Sequence, residues 1–387
     1  VTVNVDYINI TINDVYTTIT SKGLLGYNAV GQVAGLGFEY RLPSAQALLY
    51  EMSLMIGTSS TQVSDMFRNG TTPGGDADFG SVIRAAQITP SVVSDFDVDG
   101  KFNDAPATIN APVEVHHNAY AWSAAPYRKF VIVKYEIKNT GSSALNNLYA
   151  GILADWDVPN ADASKNKAAY DATNKMGYVW NTVTSGPYAA IKLLSNTAPA
   201  VHYALDNAPG GVGGVNVYSD FTTAEKYTVL STNRPTAGDT SAQGNDVMDC
   251  VSSGPFTVNA GSSITVAFAL IGGDNLVDIQ ASACAAQAKY DNGCVVGVND
   301  VETNNFWMYN YPNPSTGSFN INYNVIGYDK AAIRIMNALG QTVMIFDNLA
   351  QGKNTLAVDG SALAAGYYFY QLKAGEAVLT KKITIVK

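Results

Sequence analysis

Apolar and polar residues alternate with period two in many short stretches of the chain, as they do in strands buried on one face. In residues 130–138, Val131, Val133, Tyr135 and Ile137 form one such face. Asn139-Thr140-Gly141-Ser142 then reads as a turn, and residues 148–153 are expected to return antiparallel to the first strand. Residues 1–6 and 8–12 alternate as well, until Asn13-Asp14 breaks the run. Residues 48–56 are almost continuously apolar, with Glu51 and Ser53 inside, and Gly57-Thr58-Ser59-Ser60 ends them sharply, which favours a buried strand. Residues 264–270 are apolar on both faces and belong in the middle of a sheet. One stretch has helical spacing: Leu276, Ile279, Ala283, Ala286 and Tyr290, capped by Asp274 or Asn275 and stopped by Asn292-Gly293. The pattern predicts a mainly β chain. A large antiparallel β-sandwich body, as one unit or two subdomains, spans 1–296 with one late helix, and 297–305 is a linker.

The last stretch, 306–387, is patterned as a compact all-β unit. Residues 319–325, 332–336 and 382–385 alternate, and Asn337-Ala338-Leu339-Gly340 is a hairpin turn with Gly340 free to take positive φ. Pro312 and Pro314 cannot donate to a ladder and mark a strand entry. Short strands with evenly spaced turns predict a small immunoglobulin-like sandwich. The order Tyr311-Pro312-Asn313-Pro314, Leu339-Gly340-Gln341, Gly366-Tyr367-Tyr368 and a final strand carrying Lys381 and Lys382 resembles the type A C-terminal sorting domain of the type IX secretion system. That resemblance implies a secreted or cell-surface protein of the Bacteroidetes group, handed to the secretion translocon through 306–387. It also implies removal of the tail, with release or attachment to a surface lipopolysaccharide.

Composition agrees with an extracellular β protein. Of 387 residues only 14% are charged, and 23 are tyrosine. The net charge of −9 argues against a nucleic-acid partner. No apolar run is long enough to span a bilayer. Val1 opens directly in a strand pattern, as expected of a mature form. Cys250, Cys284 and Cys294 are an odd set, so at most one bridge forms among them, and their spacing does not settle which.

Candidate chemistry is sparse. Asp95, Asp97 and Asp99, with Gly100, Lys101, Asn103 and Asp104, have the spacing of a calcium loop, although position twelve is Pro106 and no helices flank it. Asp155 and Asp157 form a second acidic cluster and share one face if extended. Calcium is therefore the candidate cofactor, and a paired-carboxylate glycosidase is the less favoured reading of the second cluster. His116 and His117 are adjacent and, in a strand, point to opposite faces, so they do not readily share an ion. Trp122, Trp156, Trp180 and the tyrosines suit either a core or a sugar platform.

A second resemblance concerns the body. Met55-Ile56-Gly57 with Val63-Ser64-Asp65, then residues 135–141, Ala154-Asp155-Trp156-Asp157 and Gly254-Pro255-Phe256 resemble the region after the catalytic domain in secreted Bacteroidetes subtilases. It implies an accessory β module. No serine-peptidase motif set is present, and no catalytic residue is assigned. The sequence is read as a non-enzymatic surface protein, structural or adhesive; homo-oligomer or polymer formation is a hypothesis in which the extended segment 1–12 adds to a neighbour's sheet edge. An accessory peptidase region and a carbohydrate-binding module are the alternatives.

Overall fold

The computed structural model describes residues 6–69, 75–208, 212–218, 220–239, 241–291, 306–328, 330–337, 340–375 and 377–387. The chain divides into two compact units, 1–295 and 296–387. The linker expected at 297–305, together with Cys294 and the expected helix stop, lies outside the described residues.

The body is built from two large antiparallel sheets. In one, Leu145–Trp156 lies between Leu49–Ser59 and Val247–Val258, and Ala200–Asp206 closes that end. In the other, Phe130–Asn139 pairs with Val113–Ala121 on one side and Ser263–Gly273 on the other. Inward residues of both sheets, among them Ile152, Trp156, Val251, Val133, Tyr135 and Phe268, join in one hydrophobic core. Ser263–Gly273 is central, as its two apolar faces require: Val266, Phe268 and Leu270 enter that core, while Ala267, Ala269 and Ile271 face a second cluster. Helix Leu276–Asp291 covers this outer face with Ile279, Ala283 and Ala286. Asn275 caps the helix, its Oδ1 accepting from the Asp278 amide at 3.1 Å.

Two expectations are corrected. Residues 148–153 do not return beside 130–138; their strand belongs to the opposite sheet. The intervening turn is held by buried Asn139, whose Nδ2 donates to the Ser143 and Val258 carbonyls at 2.8 and 2.9 Å. Leu145–Trp156 is buried on both faces over its second half, so it needs long neighbours on both sides. The other correction is a second helix, Thr223–Ser231. Thr222 and Glu225 close a capping box at its start, a signal visible in the sequence. Replacing Thr222 by alanine is expected to cost about 1 kcal/mol, measured by urea unfolding.

In the first unit, Tyr7–Ile10 folds back on Val15–Thr20 as a hairpin, whereas residues 1–5 lie outside the described residues. Among its described residues the second unit has seven strands in two antiparallel sheets, of three and four strands, packed around Phe306, Ile321, Val325, Ile333, Leu372 and Ile383. This is the small sandwich expected from its turns.

Candidate functional site

The acidic residues singled out by sequence separate into two different situations. Residues 96–103 form a regular strand, which corrects the calcium-loop reading. A strand has no turn to fold its carboxylates around one centre, and each has protein partners of its own. Asp95 accepts from the Ser123 amide and hydroxyl. Asp97, fully buried, accepts from the amides of Val92, Val93 and Ser94. Asp99 meets His116 Nε2 at 2.6 Å and Asn118 Nδ2 at 2.7 Å. Lys101 reaches Glu114, and Asn103 accepts from the Ala105 amide. Asp104 holds the next turn through the Ala111 and Val113 amides. His116 and His117 do take opposite faces: His116 is half-exposed, and His117 is 3% exposed against Phe102.

Asp155 and Asp157, in contrast, are brought together with Asp246, a residue that sequence spacing does not associate with them. One carboxylate oxygen from each lies within 4.8 Å of the others. The three come from the end of Leu145–Trp156, the residue after it, and the residue before Val247–Val258, so pairing of those two strands assembles the cluster. It lines a cavity of about 480 Å³ with Tyr50, Arg68, Asn207 and Tyr218. Arg68 donates from Nε to Glu51 and from Nη2 to Asp155 Oδ2. Asn207 donates from Nδ2 to Asp155 Oδ2 at 3.3 Å and to Asp246 Oδ2 at 3.2 Å. After these bonds, Asp155 Oδ1, Asp246 Oδ1 and Asn207 Oδ1 are buried without a partner among the described residues. Burial and the Asp155 charge push Asp157 up to about 7. Burial and the charges of Asp155 and Asp157 push Asp246 up to about 8.

A second group, Asp65, Asp76 and Asp78, went unread in the sequence. Here Lys226 from the short helix fills the centre, its Nζ 2.8 and 3.0 Å from the two Asp65 oxygens and 2.8 Å from Asp76. The lysine is 1% exposed, so this is an internal ion cluster. Of the remaining titratable groups, His202 and Asp249 form a buried pair at 2.6 Å with His202 stacked on Tyr170. Cys250 is buried and Cys284 exposed, with no bridge between them. Trp122 and Trp156 belong to the core, at 5% and 0% exposure, whereas Trp180 is half-buried.

In the second unit the structure ties the two ends of the tail motif together. Asn313 donates to the Lys382 carbonyl at 3.0 Å and accepts from the Thr384 amide at 3.0 Å. Ser315 bonds to Thr384 and Val386 through its backbone. Tyr311 is 71% exposed, and Pro312 and Pro314 stand beside it on the surface. Gly340 has φ +78° and closes the turn after Asn337, while Ala338 and Leu339 lie outside the described residues. Gly366 opens the strand Gly366–Ala374, at φ +151°. Tyr368 donates to the Ala364 carbonyl at 3.2 Å. Lys381 and Lys382 lie on Ala377–Ile385, with the Lys382 ammonium 5.0 Å from the centre of the Tyr367 ring.

Among solved structures, the chain is similar to a polysaccharide lyase at 8% identity and TM-score 0.32, over 98% of this chain and 47% of the other. It is also similar to a mutant of the heparan sulfate lyase HepC from Pedobacter heparinus, at 10% identity and TM-score 0.34, over 92% and 42%. The chain thus spans less than half the length of either. No curated protein matches the sequence. No helix among the described residues is long and apolar enough to cross a membrane. Residues 310–386 match the secretion system C-terminal sorting domain, so the chain carries a type IX sorting tail and is exported to the cell surface or the extracellular space.

Proposed function

We propose that the exported body is a non-catalytic surface protein, structural or adhesive in role, which associates with further copies of itself. The observation that supports this reading is the strand Gly80–Ile88, the last of its sheet, bonded along one side to Phe96–Asn103. Val82 and Ile83 on it are 47% and 50% exposed. An apolar edge strand invites contact with another chain. Two register shifts interrupt its ladder to Phe96–Asn103 and its Ala85 amide donates to Ser21 Oγ, so the contact runs through the apolar side chains more than through a long ladder. Light scattering of the full chain over a concentration series is expected to show reversible association, weakened at least tenfold by Ile83→Lys. A monomer at every concentration, unaltered by that change, would overturn self-association. Release of products from polysaccharides or peptides would overturn the non-catalytic role.

A second reading, carbohydrate binding, has one observation in its favour. The rings of Tyr178, Trp180 and Tyr188 lie within 30° of parallel, with neighbouring centroids 5.4–6.4 Å apart, and all three are half-buried. Such a row can stack against sugar rings. Retention of the wild type on insoluble polysaccharide, lost in Trp180→Ala, would support this reading over the first.

A further inference from the structure

The cavity of Asp155, Asp157 and Asp246 is short of positive charge, and we propose that it is a divalent-cation site, calcium by its all-oxygen ligand set. Asp155 is 2% exposed, and its Oδ1 has no partner. Asn207 is 8% exposed, and its Oδ1 is likewise unpaired among the described residues, as is Asp246 Oδ1. Buried oxygens with no donor are costly unless a cation or proton satisfies them. Arg68 does not supply the missing charge, because its guanidinium is spent on Glu51 and the other Asp155 oxygen. Four carboxylates, Glu51 included, therefore face one guanidinium.

The same chain shows what satisfaction looks like. The Asp65 group has the Lys226 ammonium at its centre, within 3.0 Å of both Asp65 oxygens. Among the described residues no lysine lines the Asp155 cavity, and two of the residues that do, Tyr50 and Tyr218, are 38% and 44% exposed. Oxygens on opposite sides of a calcium ion lie about 4.6–5.2 Å apart, twice the usual Ca–O distance. Three carboxylate oxygens within 4.8 Å of one another fit inside that span. Asn207 Oδ1 supplies the neutral fourth ligand, and water completes six to eight oxygens. Asp155, Asp157, Asp246 and Asn207 thus form the ligand set, and Arg68 and Glu51 hold Asp155 in place from behind.

The test uses the full chain freed of metal with a chelator and then titrated with calcium, magnesium or manganese. Calcium is expected to raise the melting temperature progressively, with saturable binding of one ion at about 10⁻⁴–10⁻³ M by calorimetry. Terbium in place of calcium is expected to luminesce through Trp156, Tyr50 and Tyr218. Asp157→Asn and Asp246→Asn are expected to weaken calcium binding at least tenfold while the chelated proteins stay folded. Asp76→Asn, in the lysine-filled group, is expected to leave calcium binding unchanged. Absence of any calorimetric or thermal response to all three metals in the wild type would overturn the site. A response equally strong in Asp157→Asn and Asp246→Asn would overturn the ligand assignment. Stabilisation by an alkylammonium salt in place of the metals would show an amine-binding pocket and overturn the proposal too.

Discussion

Replacing Lys226 by methionine is expected to lower the unfolding free energy of the body by about 3–5 kcal/mol. The ammonium is 1% exposed and its three hydrogens are all engaged by Asp65 and Asp76. Burial drives the Asp65 carboxyl upward to about 7, and burial alone would lower Lys226, but the Asp65 and Asp76 charges hold Lys226 raised. With three acceptors around one ammonium, the geometry is that of a charged pair. Methionine keeps most of the side-chain volume and removes only the charge, leaving Asp65 buried with no cation. Among the described residues, the Asp65 side chain otherwise accepts only from the Phe67 amide, 2.8 Å away. Urea unfolding of the full chain, followed by tryptophan fluorescence, measures the loss. Adding Asp65→Asn to the methionine variant is expected to recover part of it, because the unpaired charge is then gone. A loss below about 1 kcal/mol, the value of an exposed pair, would mean that the cluster is solvated in solution.

The second large effect is an acid sensitivity carried by His117. The side chain is 3% exposed, its Nε2 has no partner among the described residues, and burial lowers it from 6.5 to about 4, with Asp99 pulling the other way and His116 adding to the fall. A depressed folded value means that the unfolded chain takes up the proton first as pH falls. The contribution is therefore complete above pH 6.5 and lost progressively toward pH 4, by about 3 kcal/mol in all. Other buried groups act in the opposite sense. Asp157 and Asp246 are raised, so they favour the folded chain as pH falls. The His117 term is read as a difference: His117→Leu should be less acid-labile than wild type by that amount. Unfolding curves of the two proteins that stay parallel from neutral pH to pH 4 would mean that the imidazole gains solvent or a partner in solution.

His117 also shows how far pattern reading reaches. Residues 113–121 alternate without a break, with Val113, Val115, Ala119 and Ala121 buried. The sequence puts the two histidines on opposite faces, and the packing of the sheet is what buries His117 and leaves His116 half-exposed. The strands and turns of the tail were equally legible, because each turn carries its own glycine, asparagine or proline, although the pairings of Ser318–Val325 with Gly352–Asp359 and of Ala331–Asn337 with Gly366–Ala374 are not local. The helix Leu276–Asp291 was legible from its spacing and cap. The helix Thr223–Ser231 was missed, although its capping box was in view, because only Lys226, Val229 and Leu230 are buried and no long apolar stripe announces it.

What the sequence by itself determined is whatever depends on neighbours along the chain. That includes the β class of both units, the late helix, the sorting motif, and the opposite faces of His116 and His117. What only the tertiary structure decided is whatever depends on which strands pair. An acidic run at calcium-loop spacing, 95–104, has a strand over 96–103 and each carboxylate separately satisfied, because that strand lies between Gly80–Ile88 and Val113–Ala121. Asp155, Asp157 and Asp246 become one site because Trp156 pairs with Val247 across the ladder. Asp65 meets Lys226, 161 positions away, only because a helix packs over the end of its strand. Strand partners are chosen by burial of two apolar faces across the whole body, a constraint that no local pattern carries.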